Sequence, residues 1–144
     1  MKDKVFIDTN ILVYAKFEEE DEADKNKVAS EVLEKLDTKP VVSVQVLNEF
    51  ASVLLKHQVA DEDVQQIVRE VTEGCVVVPL NLDIVWNTWK IRKRYGFSYW
   101  DSMIVSAALK SECTILCSED LQHGQVIEKK LKVMNPFENI RKNK

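Results

Sequence analysis

The acidic residues of this chain stand where chemistry is done in mixed α/β proteins. Asp8, Asp101 and Asp120 fall where strand-like runs end or helices begin, and Glu49 borders an apolar helical stripe. In Val5-Phe6-Ile7-Asp8-Thr9-Asn10 a short apolar run of the kind made by buried strands meets an acid, a hydroxyl and an amide. Such residues open helices by accepting hydrogen bonds from free N–H groups. The stretch therefore reads either as a capped helix or as an acid at the carboxyl end of a strand, where open parallel sheets place ligand sites. Ser118-Glu119-Asp120 follows Thr114-Ile115-Leu116-Cys117 in the same way. Asp101 sits in the first turn of a helix that Ser98 can cap, on one face with Ile104, Val105 and Ala108. Dipole compensation explains an acid in a first turn. It does not explain one turned toward a buried face, where an unpaired carboxylate is costly.

Acids gathered without basic partners stay ionised only if a cation neutralises them. A hard divalent ion with oxygen ligands, Mg2+ or Mn2+, suits such a set. It could hold a phosphodiester, activate a water and stabilise the leaving oxygen, and a pair of ions would do so symmetrically.

The elements that must position these acids can be read in order. After the first helix comes Glu18-Glu19-Glu20-Asp21-Glu22, expected as a solvated run. Val28, Val32, Leu33 and Leu36 mark a second helix, which breaks before Pro40. Val41-Val42 is a short strand candidate, and Ser43 caps a helix reaching about Lys56. Val46, Leu47, Phe50, Val53 and Leu54 form its buried stripe, with Glu49 at the edge, either lying along the surface or facing a cleft. Asp61 is expected to cap the next helix, and Gly74 to end it through a positive φ. A β-branched strand, Cys75 to Leu80, leads to a helix ending near Tyr95-Gly96. A last strand, Lys132-Val133-Met134, stops at Asn135-Pro136. Strands alternating with helical stretches predict right-handed crossovers and a parallel sheet between helix layers. The expected fold is α/β, a three-layer sandwich with a central, mostly parallel sheet of about five strands.

The chain's 144 residues suit one domain spanning 1–144. With 45% hydrophobic and 31% charged residues, a soluble globular protein is expected. No run is long enough to span a bilayer, and the start lacks the apolar core of a signal peptide. A net charge of -4 does not announce a nucleic-acid partner, so any such binding needs a local basic patch. Cys75, Cys113 and Cys117 are too few for a disulfide framework and read as buried, reduced thiols of a cytoplasmic protein.

Phe6-Ile7-Asp8-Thr9-Asn10, Asn48-Glu49, Tyr99-Trp100-Asp101-Ser102-Met103-Ile104 and Ser118-Glu119-Asp120-Leu121 together resemble the PIN-domain nucleases. More closely, they resemble the VapC-type toxin ribonucleases and their near relatives. The resemblance covers nearly the whole chain in order. It implies a PIN-like fold and metal-dependent hydrolysis of RNA phosphodiesters, as the toxin of a type II toxin-antitoxin pair. Position by position, Asp8, Glu49, Asp101 and Asp120 match the acidic quartet. By that resemblance Asp8, Asp101 and Asp120 hold the ion or ions, while Glu49 binds a second ion or positions the attacking water. Thr9 matches a hydroxyl that bonds within the acidic site, Asn10 an amide that shapes the loop, and Ser118 a hydroxyl two positions before the last acid. Glu119 is an acid the pattern does not require, either an outer ligand or a bystander. The resemblance also implies an RNA substrate, a cognate antitoxin and a homodimer.

Lys90, Arg92 and Arg94 lie in the segment Trp89 to Tyr95, just before Asp101. They could guide a single strand by phosphate contact and stacking, or simply oppose a helix dipole. Other readings stay open: a metal phosphatase or different nuclease chemistry on the same scaffold, a free-standing nuclease without antitoxin, or a non-catalytic nucleic-acid-binding module.

Overall fold

A computed structural model of the protein describes residues 3–142. Strand β1 (Val5–Ile7) is followed by α1 (Thr9–Lys16), a 3-10 turn (Glu20–Glu22), and α2 (Ala23–Glu34). Then come β2 (Val41–Ser43), α3 (Val44–Lys56), α4 (Asp61–Gly74) and β3 (Val76–Val78). Helices α5 (Leu82–Tyr95) and α6 (Tyr99–Lys110) lead to β4 (Ile115–Cys117). The chain ends in β5 (Val126–Ile127), β6 (Leu131–Met134) and α7 (Glu138–Lys142).

The strands form a six-stranded sheet of order β3-β2-β1-β4-β6-β5. Phe6 of β1 registers with Val41 of β2 on one side and Leu116 of β4 on the other, both parallel. Val42 pairs with Val77, and Leu116 with Val133, again in parallel. Only β5 runs antiparallel, pairing Ile127 with Leu131. Successive strand residues point to opposite faces. Phe6 and Ile7 are neighbours and both are fully buried, so the sheet is covered on both faces. Helices α1 to α4 pack against one another as one group, and α5 packs mainly on α6. The expected α/β sandwich is the one observed.

Four local expectations change. Strand β5 adds a sixth member to the sheet. It escapes a sequence reading because its turn is built from Glu128 and Lys129, both at positive φ, without the usual glycine or asparagine. Ala60, not Asp61, caps α4, and Asp61 is its first residue. Gly74 stays helical while extended Cys75 ends that helix. Asp8 itself caps α1, its side chain accepting from the Thr9 amide, so Thr9 and Asn10 lie inside the helix. Ser43 and Ser98 cap α3 and α6 as expected, accepting from the amides of Val46 and Asp101. Asn81 does the same for α5, accepting from Ile84. Gly96 closes α5 at φ 74, a left-handed conformation that glycine adopts without steric cost.

The strand order places the site. From β1 the chain moves outward to β2 and β3, then returns across β1 to β4. The carboxyl ends of β1 and β4 therefore flank a point where the winding reverses, the usual crevice of an open α/β sheet.

Candidate active site

Strand pairing carries the two β-end motifs together. Ile7 registers with Cys117, and the Asp8 amide donates to the Cys117 carbonyl at 3.0 Å. One residue further on, Ser118 Oγ donates to Asp8 Oδ2 at 2.7 Å, while the Thr9 amide donates to Asp8 Oδ1 at 2.7 Å. Ser118 Oγ also accepts from the Asp120 amide at 3.1 Å. One hydroxyl thus ties the two acidic loops to each other.

Asp8 is only 5% exposed. Burial pushes its carboxyl up to about 7, and the nearby Asp120 and Asp101 charges add to the rise. The bonds from Ser118 and Thr9 oppose it. Asp120 is exposed as a residue, yet its carboxyl is also raised. Partial burial of that carboxyl acts first, then the Asp101, Glu119 and Glu49 charges, against a bond from Asn10. These mutual effects show the acids sharing one field.

The expected quartet lines a single cleft of about 880 Å³. Asp8 enters from the start of α1, Glu49 from the second turn of α3, Asp101 from the first turn of α6 and Asp120 from the loop after β4. Among the described residues, no ion pair involves any of the four. Thr9 Oγ1 donates to Glu49 Oε1 at 2.7 Å, and Asn10 Nδ2 to Asp120 Oδ2 at 3.1 Å. Thr9, Asn10 and Ser118 therefore each bond one acid of the set.

A hard cation suits this donor set in kind, since the acids offer only oxygen. Two buried carbonyl oxygens on residues lining the cleft, Asn10 Oδ1 and Gln45 Oε1, have no hydrogen-bond partner among the described residues. The acids are not yet converged as ligands: among the described residues, no three of His, Cys, Asp and Glu are grouped closely enough to hold a metal. The Thr9 and Asn10 bonds engage one oxygen each of Glu49 and Asp120.

The other predicted residues lie elsewhere. Glu119 turns from the cleft to Lys25 Nζ at 2.6 Å and to the Tyr14 hydroxyl at 2.9 Å. This clasp joins the β4 loop to α1 and α2. Lys90, Arg92 and Arg94 do not line the cleft. Arg92 donates to the Phe97 carbonyl at 2.8 Å, and Arg94 pairs with Glu128 at 2.6 Å. These arginines fasten the end of α5 instead. Several cleft residues were given no role from sequence, Lys56, Gln45 and Trp100 among them. Lys56 is the cation among the residues lining the cleft, and Gln45 braces the Trp100 carbonyl from α3 at 3.2 Å. Gln45, Glu49, Ser52 and Lys56 recur at helical spacing, a polar stripe that could have revealed the lining face.

A profile of the family described as PIN domain matches residues 5–129. A sequence comparison with curated proteins finds no match. Among solved structures, a toxin-antitoxin complex from Klebsiella pneumoniae is similar at 19% identity and a TM-score of 0.70, covering 94% of this chain and 98% of that one. Mycobacterium tuberculosis VapC20, described as a sarcin-ricin loop cleaving toxin, gives 15% identity and a TM-score of 0.67 over 81% of this chain and 92% of its own. VapBC-1 from nontypeable Haemophilus influenzae gives 18% and 0.64, over 93% and 98%. At these identities the likeness concerns the fold.

Proposed function

The chain belongs to the PIN-domain family, and from that premise we propose that it is a divalent-metal-dependent endoribonuclease, the VapC-like toxin of a type II toxin-antitoxin pair. One observation carries this reading: four carboxylates from four separate elements line one cleft without an ion pair among the described residues. Such an arrangement is unfavourable for a structural role and useful for holding cations.

Asp8, Asp101 and Asp120 would hold Mg2+ or Mn2+, and Glu49 a second ion or the attacking water. When bound, such an ion neutralises the phosphodiester and lowers the pKa of water. Ser118 and the Thr9 amide hold the Asp8 carboxylate in one orientation through a bond to each of its oxygens. With the three aspartates on the ion, Glu49 would position the attacking water, its Oε1 steadied by the Thr9 hydroxyl. Asn10 steadies Asp120 and Gln45 steadies the Trp100 backbone, each through its amide N–H.

A cognate antitoxin and a homodimer belong to the same proposal. Support comes from relatives described as a toxin-antitoxin complex and as VapBC-1. A cytoplasmic location is supported by three free cysteines, two of them buried. No helix among the described residues is long and apolar enough to cross a membrane.

The test is cleavage of a single-stranded RNA by purified protein with Mg2+ or Mn2+, against the Asp8→Asn variant. Loss of cleavage with an intact fold is expected, and retained cleavage would overturn the assignment. The Thr9–Glu49 and Asn10–Asp120 bonds favour a second reading, a nucleic-acid-binding module that never gathers its acids. Absence of any thermal stabilisation by millimolar Mg2+ would select that reading.

A further inference from the structure

Trp100 is 59% exposed, although its surroundings hold it firmly. Its carbonyl accepts from Gln45, which is itself 6% exposed. Its ring stands edge-on to Tyr99 with centroids 5.3 Å apart, and Tyr99 packs on Trp89 at 5.0 Å. Ser98 caps the helix turn that carries it. Trp100 and its chain neighbour Asp101 both line the acidic cleft. An exposed indole at the mouth of a cleft, fixed by backbone and ring contacts, is a preorganised apolar platform.

Lys56 lines the same cleft from the last turn of α3. It lies eleven residues beyond Gln45, or about 16 Å along the helix at the usual rise. Glu49 sits on the same helix between them. The cleft thus runs from an aromatic plate, past carboxylates, to a cation.

We propose that Trp100 and Lys56 bind the substrate as a single strand, an unpaired base stacking on the Trp100 indole and a phosphate of the same strand resting on the Lys56 ammonium. The inference rests on the ribonuclease reading and assigns the residues that hold the strand. Stacking needs a free base face, which a duplex does not offer, and is tolerant of sequence. The cation answers the one charge every nucleotide carries. Continuity with the cleft favours a nucleic acid over a protein partner for this aromatic surface.

The experiment measures binding of a fluorescent RNA of about ten nucleotides, a usual single-strand site size, to the full chain carrying Asp8→Asn in millimolar Mg2+. Adding Trp100→Leu should weaken single-strand binding about tenfold, and Trp100→Phe should recover most of it. Adding Lys56→Gln should reduce the slope of log affinity against log salt by about one. The same RNA annealed into a duplex should bind far more weakly to the Asp8→Asn protein. In cleavage assays with Asp8 restored, Trp100→Leu should raise KM more than it lowers kcat.

Equal affinity of the Trp100→Leu and parent proteins overturns the proposal, as does a Trp100→Leu change in sedimentation with unchanged RNA affinity, which assigns the surface to a protein partner. If Asp8→Asn abolishes cleavage while Trp100→Leu alters nothing, the ribonuclease reading stands and this inference falls. If no protein cleaves yet binding depends on Trp100, the inference stands and the ribonuclease reading falls.

Discussion

Ser118 donates its hydroxyl to the buried Asp8 carboxylate at 2.7 Å and accepts the Asp120 amide with the same oxygen. The two β-end acids are therefore oriented by one atom. Ser118→Ala removes a bond that favours ionised Asp8, so its carboxyl should rise further. Residues that orient a metal ligand typically contribute ten- to hundredfold to affinity. Calorimetry near neutral pH should show Ser118→Ala binding Mg2+ about tenfold more weakly than the parent. Equal affinity would mean that the hydroxyl only closes the loop.

Asp8 also sets a pH dependence. Its carboxyl is raised from 3.8 to about 7 in the folded chain, first by burial. The native state therefore holds this proton more tightly than the unfolded state. Its contribution to stability is complete below the unfolded value and is lost as pH rises through about 7. The loss is of order a few kcal/mol. In chelator, urea midpoints should fall between about pH 4 and about pH 7 and level off above, and Asp8→Asn should flatten that fall. The variant should be the more stable protein at the higher pH. A parallel decline in both proteins would place the titration elsewhere.

Metal binding must follow the same proton. A cation and a proton compete for the Asp8 oxygens, so Mg2+ affinity should rise about tenfold per pH unit below the Asp8 value and level off above it. A fluorescence-melt titration at several pH values reads this directly. A flat profile would remove Asp8 from the ligand set.

The acids were legible because strand-to-helix junctions show in sequence as an apolar run meeting a polar triplet. Asp8 and Asp120 could be placed on one sheet edge without coordinates. Their state could not, since the burial and like charges that raise them come from packing. Asp8 proved to be the cap of α1 because its own oxygen reaches the Thr9 amide, a geometric choice that residue types leave open. Gln45 with Trp100, and Lys25 with Glu119, are separated by 55 and 94 residues, and no local pattern announces such pairs. The arginines stayed open because a basic helix end looks alike whether it serves substrate or the helix dipole.

Arg92 and Arg94 should accordingly be silent in substrate binding. One is occupied by the Phe97 carbonyl and the other by Glu128, and neither lines the cleft. Replacing both with alanine should leave the salt slope of RNA binding unchanged, in contrast to Lys56→Gln. A slope reduced by about two would return them to the substrate path.

Lys25 is clasped by Glu119 and by the Tyr14 hydroxyl, and its ammonium also stands 4.8 Å from the Tyr14 ring centre and 5.5 Å from that of Phe137. Burial opposes its charge, yet the bonds to Glu119 and Tyr14 outweigh that and raise its pKa. Both side chains of the ion pair are mostly covered, at 17% and 13% exposure. Lys25→Met would leave the Glu119 carboxylate poorly solvated and without this cation. A loss of about 2 kcal/mol is expected, below the range for a fully buried pair because some solvent reaches it. Glu119→Gln in the Lys25→Met background should cost little more, giving a coupling above about 1 kcal/mol in the double-mutant cycle. Strict additivity would show that the pair contributes no interaction of its own. Mg2+ affinity separates the two neighbouring acids: Glu119→Gln should leave it unchanged, whereas Asp120→Asn should weaken it. Equal effects would bring Glu119 back into the metal site.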